Sequence, residues 1–506
     1  MITFAAMKGQ ILIILSIVVT ASVSPIGASD SLPASRWDGA TLTVEASATM
    51  GGGDHAPLWL SANRYGLSSV QKCAGYERVQ MLRPIQTDSA RSWRLGYGAD
   101  VALTQNHERT FVVQQAFVEA AWKVLRLTLG SKQQPMETQS ADLGSGALSM
   151  GINARPIPQM RLDVDWFAMP GTKGWWQWKL YGSYGWFTDG RWQESWAAPT
   201  GRRTKHVLYH EKGLFWKFGR TDMLPVTYEI GLRMASQFGG TTYNVNNRRL
   251  NIGSQLTDIK HPADLGAYWH ALTCQGSDET DGSDPNTAGN HLGSYVMALS
   301  YHGPRWQARA YWERYFDDQS MLTVQYGIRD MLIGAEVRAP KNPFVDGASF
   351  EFVTTTNQSG AVYHDRTARL QDKMNGRDNY YNHLLYTGWQ HYGFTLGHPF
   401  ITSPAYNQDH TLYFWNNRIK GWHVGLTGQP ADEWRWRLLA SFTRNWGLYT
   451  KPFADCLAQQ YILAEATYRP RWAQGWTATA ALGLDHGSVV GNNTGAQLTI
   501  RKTFDL

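Results

Sequence analysis

Charge is scarce in this chain. Asp, Glu, Lys and Arg make up 17% of its 506 residues, against roughly 25% in ordinary soluble domains. The charge that is present is not clustered. The formal balance is +6, with Arg and Lys scattered singly along strand-like segments. That excludes the basic face a nucleic-acid binder needs, though a mild positive field still favours an acidic polymer. Cysteine is nearly absent. Cys73, Cys274 and Cys456 give no CxxC pair and no metal spacing, and at most one disulfide could form among them. No GxSxG marks a nucleophile elbow, and neither HExxH nor HxxxH stands in a useful context. The acidic run DETDGSD (278–284) lacks the ordered spacing and terminal Glu of a calcium loop. His210 and Glu211 are adjacent, so on a strand they face opposite ways. No catalytic residue, metal or cofactor is therefore assigned, and no enzymatic activity is expected.

Long hydrophobic runs are missing as well. The one apolar run is N-terminal, Ile11 to Val19 behind Lys8, with Gly27, Ala28 and Ser29 following. This has the plan of a cleaved secretory signal peptide. The expected division is a signal peptide over 1–28 and one domain over 29–506. No later stretch reaches the ~18 uninterrupted apolar residues of a transmembrane helix.

Aromatic residues and glycine, by contrast, are abundant. There are 23 Trp, 24 Tyr and 49 Gly, yet the mean hydropathy is −0.39. An apolar outside, a polar lumen, aromatic girdles and many turns reconcile these values in a membrane β-barrel. Periodicity agrees. Trp93, Leu95, Tyr97, Ala99, Val101 and Leu103 alternate with Arg94, Gly96, Gly98, Asp100 and Ala102. Trp434, Trp436, Leu438, Ala440 and Phe442 oppose Arg435, Arg437, Ser441 and Thr443, with Leu439 out of pattern. Trp476, Ala478, Ala480, Leu482 and Leu484 repeat the theme. Successive side chains on a strand point to opposite faces, and these segments run to about ten residues, enough to cross a bilayer at a tilt. The expected fold is an all-β, antiparallel transmembrane barrel of about 16–18 strands. The polar stretch 273–291 reads as an outer loop, and 451–466 as either a helix or a loop entering a strand. INARPIPQM (152–160) cannot be a central strand, because each proline removes a ladder donor. It should hold Arg155 rigidly in place.

Two stretches concentrate rings: 174–187, and GRDNYYNHLLYTGWQHYGF (376–394). Such rings serve an interfacial girdle or stack on sugar faces while polar neighbours bond hydroxyls. Alternation divides the second stretch. From Tyr386 onward it reads as wall, with Tyr386, Tyr392 and Phe394 turned to lipid. The preceding polar part, Arg377, Asp378, Asn379, Tyr380, Tyr381 and Asn382, is the candidate polysaccharide-binding site.

Several blocks, taken in order, resemble one family. PLWLSANRYGL (57–67), GALSMGINARPIPQM (146–160), VLYHEKGLFWKFG (207–219), GLRMASQFGG (231–240) and 376–399 look like the recurring blocks of the Wzi-type capsule assembly proteins, in the branch found in Bacteroidota-like bacteria. The resemblance covers nearly all of the chain after the leader. It implies a barrel of about eighteen strands in the outer membrane of a Gram-negative cell, with small helices at its periplasmic end. It further implies a lectin-like role in attaching capsular or other surface polysaccharide, with outer-membrane lipid and the polysaccharide export machinery as further partners. The alternative reading is a porin or solute transporter, which the same strand pattern would serve.

Overall fold

Alternation of this kind makes a sheet with one greasy and one polar face, and such a sheet is stable in lipid only if it has no edge. The computed structural model describes residues 39–88, 92–245, 256–274, 289–317, 329–358 and 378–506, and the backbone of 363–367 and 370–375. The expected signal peptide and most of the outer loop 273–291 lie outside these residues. Eighteen strands form one antiparallel sheet. In chain order they are β1 (Thr41–Gly52), β2 (Cys73–Arg83), β3 (Trp93–Gln105), β4 (Phe111–Trp122), β5 (Leu125–Ser131) and β6 (Gln159–Ala168). Next come β7 (Trp176–Trp186), β8 (Leu208–Phe218), β9 (Val226–Phe238), β10 (Asn290–His302), β11 (Gln307–Phe316) and β12 (Met331–Arg338). The sheet ends with β13 (Gly347–Thr354), β14 (Ile419–Ala431), β15 (Trp434–Gly447), β16 (Pro452–Tyr468), β17 (Trp476–Gly487) and β18 (Asn493–Asp505). Each strand pairs with the next, and β18 returns to β1 in a register from Thr41↔Asp505 to Gly52↔Thr494. The barrel is closed.

The faces divide as the alternation predicts. Trp93, Leu95, Leu103, Trp434, Leu482, Leu484 and Leu498 are exposed on the outside. Asp100, Ser441, Thr443, Asn445 and Asp485 are buried on the inside, where Leu439 joins them. The ambiguous stretch 451–466 is strand β16. The ring-rich stretch 174–187 is largely wall: Trp176 stacks on Phe218 and Trp178 meets Trp216 edge-on, with centroids 6.2 and 5.6 Å apart. Among the described residues no helix is long and apolar enough to cross a membrane.

Links at the rim carrying the termini are short, such as 123–124 and 432–433. The long ones, 53–72, 132–158, 187–207, 239–289 and 355–418, all leave from the opposite rim or below it. Three helices, α1 (Leu58–Ser61), α2 (Gly190–Trp196) and α3 (Leu265–Thr273), lie on these long links. Among the described residues, the links beside the termini carry one helical turn, the 3-10 turn Ile85–Asp88. Helix α3 rests on the outer face of the wall, where the Tyr184 hydroxyl donates to Tyr268 O at 2.9 Å. It turns Leu265 and Trp269 outward.

Three of the links fold back into the lumen. Strand β5 stops early, at Ser131 opposite Ala116, while its partner β4 continues to Phe111. Residues 132–158 therefore leave the wall below the rim and cross to the far side. There Leu148 N and Ser149 N donate to the Glu313 carboxylate of β11 at 2.8 and 3.0 Å. Ser145 N donates to Glu351 of β13 at 2.6 Å, which also accepts from the Ser145 and Tyr311 hydroxyls. A carboxylate accepting several N–H and O–H groups satisfies donors that a strandless segment would otherwise leave orphaned. Asp142 anchors the same segment to Arg338 and Arg435 at 2.6 and 2.8 Å. Helix α1 is held likewise, with Leu58 N on Asp485 at 3.0 Å and Trp59 Nε1 on Ser441 at 3.1 Å.

The other large filler is 378–417, and here the wall reading fails. From Leu385 to Phe400 every residue is buried, and the only strands are the two-residue pair Gln390–His391 and Phe394–Thr395. Tyr386, Tyr392 and Phe394 are buried among protein groups rather than turned to lipid. The alternation that suggested lipid arises because a lumenal segment also sets rings against one neighbour and polar groups against another. The two fillers lock together through Gly151 N on Leu396 O at 2.7 Å and the Tyr381 hydroxyl on Leu148 O. Gly397 sits in that seam. A Cβ there would lie 2.0 Å from the Tyr381 hydroxyl and 2.5 Å from Leu148 O. Gly397→Ala should cost about 1–3 kcal/mol by overpacking, seen as a lower unfolding temperature for the purified barrel.

The filler also carries a pH dependence. His383 Nδ1 accepts from Leu385 N at 3.1 Å, and His398 Nδ1 from Phe400 N at 3.2 Å. Both rings must be neutral to do so. Burial, joined by nearby Arg202 at His383 and by His423 at His398, pushes both down to about 3, from an unfolded value of about 6.5. A lowered folded pKa gives stability that is full above about pH 6.5 and is lost as pH falls towards 3. Limited proteolysis within 378–417 should accelerate between pH 7.5 and pH 4.5, and His398→Gln should flatten that rise. A pH-independent rate would refute the assignment.

Candidate functional site

Two concave surfaces with polar linings lie at the rim opposite the termini. Helix α2 builds the first. Asp189 begins it and is itself buried. Its carboxylate accepts from Gln193 Nε2 at 3.0 Å, Gln390 Nε2 at 3.2 Å and Tyr392 N at 3.2 Å. One acid thus ties α2 to the filler. Trp192 and Trp196, four residues apart and so on one helix face, stack at 5.1 Å and 23°. Tyr392 approaches Trp192 at 6.0 Å. These rings form one side of a pocket of about 490 Å³.

The other side is polar: Gln71 and Lys72, and the β3–β4 turn with Asn106, His107 and Glu108. Arg155 braces this side as its flanking prolines predict. Its guanidinium lies 4.1 Å over the Tyr392 ring and pairs with Glu108. Burial pushes the Glu108 carboxyl up against the pull of Arg155. Burial, with Arg155 nearby, pushes the His107 imidazole down. His107 Nδ1 bonds Gln105 O at 2.9 Å, which leaves Nε2 as an acceptor, and this buried atom has no partner. A half-exposed tryptophan face across the pocket from amide and ammonium groups suits a ring with an apolar C–H face and hydroxyls at its edge.

A second pocket of about 400 Å³ lies at the same rim. Its rings are Tyr413 and Trp415, with centroids 4.7 Å apart. Arg202, Asn244, Thr411 and Lys451 supply its polar groups.

The sequence-predicted residues lie beneath this second pocket. Arg377 is outside the described residues. Asp378 N donates to Gln358 O at 3.0 Å. Asn379 Nδ2 donates to the Tyr413 hydroxyl. Asn382 brackets Phe414, accepting from its N at 3.0 Å and donating to its O at 2.9 Å. Tyr380 and Tyr381 are fully buried, their hydroxyls donating to Asp330 at 2.9 Å and to Leu148 O. The segment supports a ring-lined pocket from below, and its two tyrosines do not reach the surface. Sequence reasoning passed over Trp192, Trp196, His107, Arg202, Trp415 and Lys451. A signal existed for the first two. In DGRWQESW an N-terminal Asp precedes two Trp at helical spacing, which marks a short helix with a ring-bearing face. Among the described residues no group of His, Cys, Asp and Glu has the geometry to hold a metal ion.

No protein-family model matches the chain, and no curated protein sequence matches it. Solved structures do. Wzi, an outer membrane protein involved in group 1 capsule assembly in Escherichia coli and a carbohydrate-binding β-barrel, is 12% identical with a TM-score of 0.55, covering 92% of this chain and 85% of its own. OccK5 (OpdH) of Pseudomonas aeruginosa is 8% identical with a TM-score of 0.45, covering 92% and 98%. OpdL of the same organism is 8% identical with a TM-score of 0.44, covering 92% and 99%. The fold is that of outer-membrane β-barrels.

Proposed function

We propose that this protein is a Wzi-type, lectin-like barrel of the Gram-negative outer membrane, which holds capsular or other surface polysaccharide at the cell surface and neither makes nor breaks a bond. One observation carries this reading. At the rim bearing the long links, stacked Trp192 and Trp196 share one pocket with the polar groups of Gln71, Lys72, Asn106 and His107. The outward rim follows from the usual barrel plan, in which short turns face the periplasm and long loops the exterior. The likeness in fold to a carbohydrate-binding barrel supports the same reading. Outer-membrane lipid covers the apolar wall, and the export machinery that delivers the polymer is the natural neighbour at the rim.

The porin alternative draws support from the strand count alone. Against it stand Trp389, Phe400, Phe414, Leu143 and Leu148, all fully buried in the interior. Two experiments test the proposal. Deleting the gene should release polysaccharide into the medium while total synthesis continues, and the purified protein should bind the host's own purified surface polysaccharide. Unchanged retention of every surface polysaccharide on the deletion strain would sink it.

A further inference from the structure

The two rim pockets differ in charge. In the first, the acid Glu108 is paired with Arg155. The second has cations and no acid in its lining. Arg202 donates one hydrogen bond, to Leu384 O, and among the described residues no carboxylate lies within ion-pair reach of it. Lys451 is exposed, with Nζ 4.3 Å over the Trp415 ring, and it too pairs with no described carboxylate. Two acids border the lining, and neither pairs with Arg202 or Lys451. Asp409 accepts from Thr411 N at 3.0 Å and Thr411 Oγ1 at 2.7 Å, and Asp258 accepts from Asn244 N at 3.2 Å.

Several enclosed cations elsewhere in this chain pair with acids. Arg78 reaches Asp100 at 2.6 Å, Arg161 reaches Asp163 at 2.9 Å, and Arg437 reaches Glu465 at 2.9 Å. An enclosed guanidinium without a counter-ion is costly, and an incoming anion removes that cost. A guanidinium also presents a planar fork that matches a carboxylate. Beside it, Tyr413 and Trp415 offer faces for a pyranose ring, and Trp415 is held by Nε1 on Thr411 Oγ1 at 3.0 Å.

From this arrangement we infer that the second pocket takes a negatively charged sugar unit, with its carboxylate on Arg202 and Lys451 and its ring against Tyr413 and Trp415. The inference rests on the glycan-binding reading and narrows it to an acidic polymer.

Titration calorimetry on the full detergent-solubilised barrel tests it, with a galacturonate hexamer, maltohexaose and inorganic phosphate as probes. The galacturonate hexamer should bind at least about tenfold more tightly than maltohexaose. Its affinity should fall as salt rises from about 50 to 300 mM. Arg202→Gln and Lys451→Gln should each weaken it by about tenfold or more. Lys451 is exposed, so its variant stays informative even if Arg202→Gln perturbs the link. Equal binding of the two oligomers, or unchanged affinity in both variants, overturns the inference. Displacement of the hexamer by inorganic phosphate at equal molar concentration also overturns it, by assigning the pocket to a free anion. If the host polysaccharide binds but no galacturonate hexamer does, this inference falls and the parent reading stands. If no saccharide binds, both fall.

Discussion

Replacing both lumenal carboxylates, as Glu313→Ala with Glu351→Ala, should turn a silent barrel into a conducting one. Glu313 accepts from Leu148 N, Ser149 N, the Ser149 hydroxyl at 2.9 Å and Gln139 at 3.2 Å. Glu351 accepts from Ser145 N, the Ser145 hydroxyl and Tyr311. Truncating the two acids strands these donors in the interior, at about 1–3 kcal/mol for each group left unsatisfied. The filler 132–158 has no sheet of its own to fall back on, so it should detach while the eighteen-stranded ladder persists. Planar-bilayer recordings would show steady current for the double variant and none for the parent, with both still heat-modifiable as folded barrels. The conservative Glu→Gln pair keeps an acceptor oxygen at each position and should leak far less. Identical recordings from parent and double alanine variant would mean that these anchors do not hold the lumen shut.

Trp196→Ala should weaken binding of the host polysaccharide by about tenfold or more, with little change in thermal stability. The ring is half-exposed, resting on Trp192 on one side and meeting His410 at 5.0 Å on the other. Loss of an aromatic anchor at a binding surface typically costs about 2 kcal/mol or more, and 1.4 kcal/mol is a factor of ten. Trp192→Ala would lose both binding and stability, because Trp192 is buried. Together the pair separates recognition from packing. Full binding by a well-folded Trp196→Ala protein would remove this pocket from the glycan site.

The wall was legible because lipid imposes a simple rule. Trp93, Leu95 and Leu103 must alternate with groups that tolerate a polar lumen, such as Asp100. The barrel's contents were not legible, because no period governs them. Glu313 and Glu351 look like ordinary lumen charges, and nothing local shows that their partners are amides at 145–149, more than a hundred residues away. The stretch 376–394 failed for a related reason. Ring density marks any surface where aromatic and polar groups mix, and the lumen of a filled barrel is one more such surface. Tyr386 obeys strand alternation without being on a strand. Arg155 could be placed because proline acts locally, and the Trp192–Trp196 pair was readable by the same kind of local rule.

The seam between 132–158 and 378–417 constrains the order in which the chain can assemble. Its bonds, such as Gly151 N to Leu396 O and Asn153 Nδ2 to Thr395 O at 3.3 Å, join stretches from opposite halves of the chain. Contacts so distant in sequence carry a high closure entropy and form late. Most wall pairings join strands that are neighbours in sequence, whereas the seam, like the closing of β18 on β1, must wait until both halves of the chain are in place.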